Sequence, residues 1–194
     1  MRKAIIERKT RETEIRLKLN IDGVGKCKVN TPAGFFNHML ESFCKHGLFD
    51  IEIEAKGDIE VGFHHLVEDI GICLGMAFDK ALKKREKIVR FGWSIVPMDE
   101  ALVLSSIDIS GRPLLVYKVK MKNQKIGEFD TELVEEFFKA LSDNAKITLH
   151  INLFYGNNAH HIVEAVFKSV SKSLAQASSI SQKIKGVLST KDVI

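Results

Sequence analysis

"HHLVEDIGICLG", residues 64–75, opens with two adjacent histidines and sets a glutamate within one helical turn of both; "HHIVEAVF", residues 160–167, writes the same pattern again in the second half. Each stretch opens a helix, from His64 to about Lys84 and from His160 to about Ser178. The segments upstream also match. "GFFNHMLESFCKHG" (34–47) has Phe36, Met39, Leu40 and Phe43 at helical spacing with Gly47 as a stop, and in "LFDIEIEAKG" (48–57) Ile51 and Ile53 alternate with Glu52 and Glu54. In the second half "DTELVEEFFKALSD" (130–143) carries Leu133, Val134, Phe137, Phe138 and Leu141 on one side, and "AKITLHINLFYG" (145–156) alternates as a strand. Helix, strand, loop and HHxVE helix thus occur twice in one order. This predicts an α+β protein, an internally duplicated two-layer unit with helices laid on one face of mixed, mainly antiparallel sheets. Residues 10–21, with Ile15, Leu17 and Leu19 on one face, supply a strand early in the chain; "PMDEALVLSSIDISGRPLLVYKVKM" (97–121) supplies two more, turning at "SGRP" (110–113). Proline stands only at Pro32, Pro97 and Pro113 and nothing is low-complexity, so residues 1–194 read as one domain of two pseudo-repeats, about 1–87 and 88–194.

With 194 residues, 45% hydrophobic and 28% charged, the chain can bury a sizeable core. Its net charge of +4 is scattered among acids, and two Tyr and one Trp make a poor stacking surface, so neither nucleic acid nor membrane is an expected partner; small acidic ligands are. No segment approaches the roughly 20 apolar residues of a bilayer span, and "MRKAIIERKT" lacks a signal peptide's apolar stretch, so the expected location is the cytoplasm. Cys27, Cys44 and Cys73 form no CxxC pair and read as buried free thiols. The charge run "KALKKREK" (80–87) reads as a solvated helix end.

Successive helical residues advance by about 100°, so Glu68 falls between His64 and His65, and Glu164 between His160 and His161. Three nitrogen and oxygen ligands therefore converge at each helix start, while the adjacent histidines diverge enough to serve two ions or neighbouring sites. His150 shares one strand face with Thr148 and Asn152, and His38 lies off the apolar stripe of the first helix. His38, His64, His65, His150, His160 and His161 with Glu68 and Glu164 make an imidazole and carboxylate set without thiolate, suited to Mn, Fe(II), Co or Zn. Two other readings fit these residues. A dinuclear phosphate-ester hydrolase would release inorganic phosphate; a shell protein with structural metal would come apart on chelation and bind no imidazole compound.

Taken in order, "FFNHMLESFCKHGLFDIEIEAKGD", "HHLVEDIGICLG", "GWSIVPMDEALV", "DISGRP", "FDTELVEEFF", "LHINLFYGNNAHHIVEAVFKS" and "GVLSTK" resemble the imidazoleglycerol-phosphate dehydratase family over nearly the whole chain. The resemblance implies a fold like domain 2 of ribosomal protein S5, a homo-oligomeric shell of 24 subunits with active sites between subunits, and two Mn²⁺ ions per site. It implies a lyase of histidine biosynthesis that dehydrates imidazole glycerol phosphate to imidazole acetol phosphate through a metal-stabilised imidazolate and a diazafulvene-like intermediate. Carried over by position, the eight residues above become metal ligands, and Glu164, His65 and His161 become catalytic groups, Glu164 as a proton shuttle. Arg90, Arg112, Ser189 and Lys191 match phosphate-binding positions. Glu12, His46 and Asp99 match other substrate contacts.

Three positions depart from the family pattern. Asn37 stands where Asp usually precedes the first histidine, and Gly62 and Phe63 stand where two acids often precede the first pair. Asn37 can still accept a hydrogen bond from an imidazole N–H and orient His38. The end "STKDVI" is shorter than the usual family tail and leaves Lys191 near the terminus, to be pinned by substrate.

Overall fold

A computed structural model describes residues 2–122 and 124–191; of the final "STKDVI", residues 192–194 lie outside them. The first half runs β1 (Lys3–Lys9), β2 (Thr13–Asn20), β3 (Cys27–Asn30), α1 (Gly34–Gly47), β4 (Asp50–Gly57), a 3-10 turn (Ile59–Val61) and α2 (His64–Leu82). The second runs β5 (Phe91–Met98), β6 (Ala101–Asp108), β7 (Leu114–Lys118), a two-strand ribbon of β8 (Lys125–Ile126) and β9 (Phe129–Asp130), α3 (Leu133–Ala145), β10 (Thr148–Tyr155) and α4 (Ala159–Ser178). The strand orders are β1-β2-β4-β3 and β5-β6-β10-β7, one plan used twice. In each sheet one pair is parallel, β3 with β4 and β7 with β10, because a helix intervenes between those strands.

The period-2 pattern explains which face each sheet buries. In β2, Thr13, Ile15, Leu17 and Leu19 are buried while Glu14, Arg16 and Lys18 point away, and β10 likewise buries Leu149 and Ile151. α2 covers the first sheet and α4 the second. The helical layers then meet, α1 on α4 and α2 on α3, so the molecule is stacked sheet, helices, helices, sheet, and both outer sheet faces stay open. The predicted stripes of α1 and α3 are the ones buried. Phe36 lies edge-on to Phe137 at 5.2 Å and Phe137 stacks on Phe167 at 5.3 Å, tying α1, α3 and α4 together. Each such ring removed from water contributes about 1.5–3 kcal/mol. Where α2 crosses α3, Gly71 and Gly75 let the backbones approach: an added Cβ would stand 2.7 Å from the carbonyl oxygen of Phe137 or Leu141.

α1 ends at Gly47 as expected, with Leu48 as the left-handed cap at φ 57°, while Gly47 makes room for the Phe49 ring, 2.4 Å from where a Cβ would be. Other expectations change. The charge run 80–87 is not wholly solvated. α2 stops at Leu82 and the chain folds back, burying Arg85 to 5% exposure, where its Nη2 bonds Asp79 at 2.7 Å and the Ala145 carbonyl at 3.1 Å. Cys44 and Cys73 are buried as expected, but Cys27 is exposed because it opens the edge strand β3. The strands β1 and β5, hidden in charged or aromatic sequence, complete the sheets. No described helix is long and apolar enough to cross a membrane.

Candidate active site

The contact of α1 with α4 places His38 beside the start of the second HHxVE helix. His38 Nε2 lies 3.6 Å, and His160 Nε2 3.3 Å, from Glu164 Oε2, and one ligand atom from each residue falls within 4.8 Å of the others. Among the described residues this is the group of three or more potential ligands able to share one cation. Asn158 starts α4 by accepting a hydrogen bond from the His160 N–H at 2.9 Å, which aims the first turn, and Phe35 meets the His160 ring edge-on at 5.2 Å. Glu164 is only 8% exposed. Burial alone would push its carboxyl up, but Lys168, with Nζ 2.7 Å from Oε1, and the facing His38 and His160 more than offset this and hold it below the ordinary range. Lys168 occupies Oε1, leaving Oε2 to the imidazoles.

The second histidine of each pair turns elsewhere. His161 Nδ1 bonds Glu100 at 2.6 Å with Nε2 3.4 Å from Asp99; His65 Nδ1 bonds Asp58 at 3.0 Å with Nε2 3.9 Å from Glu12. Neighbouring rings sit 6.1 Å apart at 84° in α2 and 6.2 Å apart at 78° in α4. Both imidazoles therefore do not converge on one carboxylate: the glutamate pairs with the first, His64 to Glu68 at 3.9 Å, and the second diverges. A carboxylate at Nδ1 fixes the tautomer and points Nε2 outward, a disposition suited to metal ligation or proton transfer. Asp58 raises the His65 pKa, chiefly through its hydrogen bond, and Glu100 does the same for His161. Glu100, bonded by His161 and by the N–H groups of Asn158 and Asn157, is lowered to about 2.

Glu100, Asp58 and Lys168 escaped the sequence reading. Glu100 could have been found, because it holds in the β5–β6 turn the place Glu12 holds between β1 and β2; Lys168 sits at helical spacing from Glu164. Asn37 does not orient His38. Its side chain bonds Thr31 twice, at 2.6 and 2.9 Å, since adjacent helical residues point about 100° apart. Asp58 supplies a carboxylate near the first pair despite Gly62 and Phe63, and Gly62 has φ 106°, where any side chain is strained.

His150 is remote from the His38 cluster. It sits half-buried on the outer face of the second sheet, in a row running Trp93, Ser106, His150, Val116 across β5, β6, β10 and β7, with Trp93 61% exposed. His64 and Glu68 are both about half exposed and gain no third ligand from the described residues. Arg90, Arg112, Ser189 and Lys191 do come together, lining a cleft of about 700 Å³ with Ser110. There Arg90 is anchored by Asp108 at 2.7 Å and the Leu188 carbonyl at 2.7 Å, while Arg112 is open to solvent. His46 lies elsewhere, on α1; partial burial and then the charges of Lys168 and Lys172 lower its pKa.

The family model described as imidazoleglycerol-phosphate dehydratase matches residues 31–174. The chain belongs to the imidazoleglycerol-phosphate dehydratase family. It is 54% identical over 194 residues to the imidazoleglycerol-phosphate dehydratase of Clostridium kluyveri, covering all of both chains, and 52% identical over 190 residues to that of Geobacter sulfurreducens, covering 98% of this chain and 97% of the relative. Among solved structures, imidazoleglycerol-phosphate dehydratase from Pyrococcus furiosus has TM-score 0.85 at 40% identity, covering 97% of this chain and all of that one; the Staphylococcus aureus enzyme has TM-score 0.84 at 40%, covering 92% and 99%. Membership in the imidazoleglycerol-phosphate dehydratase family makes the chain an enzyme of that class, and the α+β expectation stands.

Proposed function

We propose that this protein dehydrates imidazole glycerol phosphate to imidazole acetol phosphate in histidine biosynthesis, in the cytoplasm, using two Mn²⁺ ions per site in an assembly of its own copies. The observation that carries this reading is the convergence of His38, His160 and Glu164 within reach of one cation. Two imidazoles and a carboxylate kept ionised by Lys168 fit a Mn²⁺-type ion. Such ions supply positive charge that offsets electron build-up on the substrate's imidazole ring, the sink needed because the carbon losing its proton has no adjacent carbonyl.

The chain's own groups do the rest. His65 and His161, each held at Nδ1 by a carboxylate, present Nε2 as a ligand or proton acceptor. Glu164 would hold the ion through Oε2 and move a proton at Oε1, the oxygen beside Lys168 Nζ. Elimination of water then passes through a diazafulvene-like species that tautomerises to the ketone. Arg112, Lys191 and Ser189 take the phosphate in the cleft that Arg90 shapes. Glu12, Asp99 and His46 contact the remaining substrate.

The same reading treats residues 1–194 as one domain of two repeats, about 1–87 and 88–194, and completes the second ion site between copies. His64 and Glu68 have no third ligand among the described residues of their own chain, and His150 faces outward among Trp93, Ile95 and Leu104. A second copy seated on that apolar face would bring such half-sites together, in the shell of 24 subunits that the family resemblance implies. Anaerobic reconstitution with Mn²⁺ and assay of imidazole glycerol phosphate tests the activity. Ketone product with phosphorus still attached is expected; absence of ketone sinks the reading, and release of inorganic phosphate would mark a hydrolase.

A further inference from the structure

A buried charged group beneath the β1–β2 turn has no counterpart among the described residues of the second half. Asp69, 6% exposed on α2, accepts from Arg8 Nε at 3.0 Å and Nη2 at 2.9 Å on one oxygen and from the Thr13 hydroxyl on the other. Arg8 lies on the inner face of β1 with Ala4 and Ile6, and Thr13, 4% exposed, opens β2. Between them the turn closes on Thr10, whose hydroxyl accepts from the Glu12 N–H at 3.1 Å and the Thr13 N–H at 2.9 Å, while the Glu12 carbonyl accepts from the Asp58 N–H at 3.1 Å.

The duplicated half shows what folding alone requires at these places. Arg8 pairs with Ile15, the third residue of β2, and Val96 pairs with Val103, the third residue of β6; Thr13 opens β2 as Ala101 opens β6; Asp69 follows Glu68 as Ala165 follows Glu164. Val96, Ala101 and Ala165 are buried at 8%, 1% and 0%. An apolar trio thus supports the same hairpin on the same helix. A buried ion pair is seldom retained for stability, since replacing the whole set by apolar residues is often neutral or stabilising.

What differs above the two supports is the acid in the turn. Glu100 is tied down directly by His161 and by two backbone N–H groups. Glu12 is not: its side chain is 53% exposed and stands 3.9 Å from His65 Nε2. We propose that Asp69, with Arg8 and Thr13, is a positioning residue that bolts the β1–β2 turn to α2, holding Glu12 over His65 with its carboxylate unspent and free to meet substrate. The main chain carries the positional order that a side-chain bond carries for Glu100. The inference rests on the functional reading above only for its consequence in turnover.

The test is to copy the second half into the first, Arg8→Val with Thr13→Ala and Asp69→Ala, in otherwise intact protein, alongside Asp69→Ala alone, Thr13→Ser and Glu12→Gln. The triple variant should fold and assemble as the parent does, take up Mn²⁺ with unchanged affinity because Glu12 is no ligand, and exchange its Glu12 and Thr13 amides faster. Its kcat should fall roughly ten- to hundred-fold, as for a misplaced catalytic contact, with Thr13→Ser near the parent. In a Glu12→Gln background the triple change should cost nothing further. Unchanged amide exchange overturns the bolt; an equal loss of kcat in the Glu12→Gln background overturns its action through Glu12. Should the parent itself show no turnover, the functional reading fails alone, and amide exchange still decides whether the turn is bolted.

Discussion

The same row crosses both sheets and is furnished in opposite ways. In the first it reads Ile5, Lys18, Glu52, Lys28, with Lys18 and Glu52 3.1 Å apart and Lys28 bonded to Glu54 at 3.2 Å on the neighbouring row. In the second it reads Trp93, Ser106, His150, Val116. A charged ladder that satisfies itself belongs in water, whereas exposed apolar side chains around an imidazole make the kind of face that the proposed assembly would cover. The HHxVE helices differ in the same sense. His160 and Glu164 are joined by His38 of the same chain, and His64 and Glu68 are not joined by a third ligand among the described residues. Duplication kept the backbone plan and let each outer face and each helix start take its own task.

Several variants would break or sharpen this contrast. Removing ligands has the largest expected effect: His160→Ala and His64→Ala should each abolish turnover. Elemental analysis should separate them in protein dissociated by Trp93→Glu, where only the cluster within the chain can hold an ion: His160→Ala empties it and His64→Ala leaves that ion in place. Equal metal content in the two variants of that dissociated protein would erase the distinction. Next come the sheet faces. Trp93→Glu should weaken self-association by about 2 kcal/mol or more and drive the protein to smaller species in sedimentation, while Ile5→Glu, at the matching place in the first sheet, should leave the assembly intact.

A smaller effect concerns the carboxylate partners. In metal-free protein the His161 imidazole should titrate above its ordinary range and return toward it in Glu100→Gln, followed by NMR; Asp58→Asn should do the same for His65. The sign follows from both partners. A raised His161 pKa lends stability that is whole below the ordinary imidazole range and is lost as pH climbs through the raised value; Glu100, held at about 2, loses its share only as pH falls toward that value. The pair therefore contributes most between the ordinary carboxylate and imidazole ranges. Least of all, Cys73→Ala should cost about 1 kcal/mol of stability, by denaturant melt, and leave turnover unchanged.

Much of this was legible before folding. Phe36, Met39, Leu40 and Phe43 announced α1 because a 3.6-residue period can only bury one stripe, and Leu149 and Ile151 announced β10 by alternation. Arg85 was misread because a charged run carries no sign that the chain will fold back and find Asp79 and two carbonyls. Asp58 and Glu100 were missed because an acid in a loop declares nothing until a helix start swings an imidazole to it.

By itself the sequence determined the duplicated α+β plan, the buried stripes and the inventory of imidazoles and carboxylates, since these depend on spacing along the chain. Tertiary structure alone decided that His38 meets the second HHxVE helix rather than the first, that each paired histidine parts from its neighbour, and that His150 looks outward. Those outcomes turn on how α1 packs against α4 and on which sheet face remains open. Packing between elements distant in sequence is set by the shape and burial of whole surfaces, which local spacing does not encode.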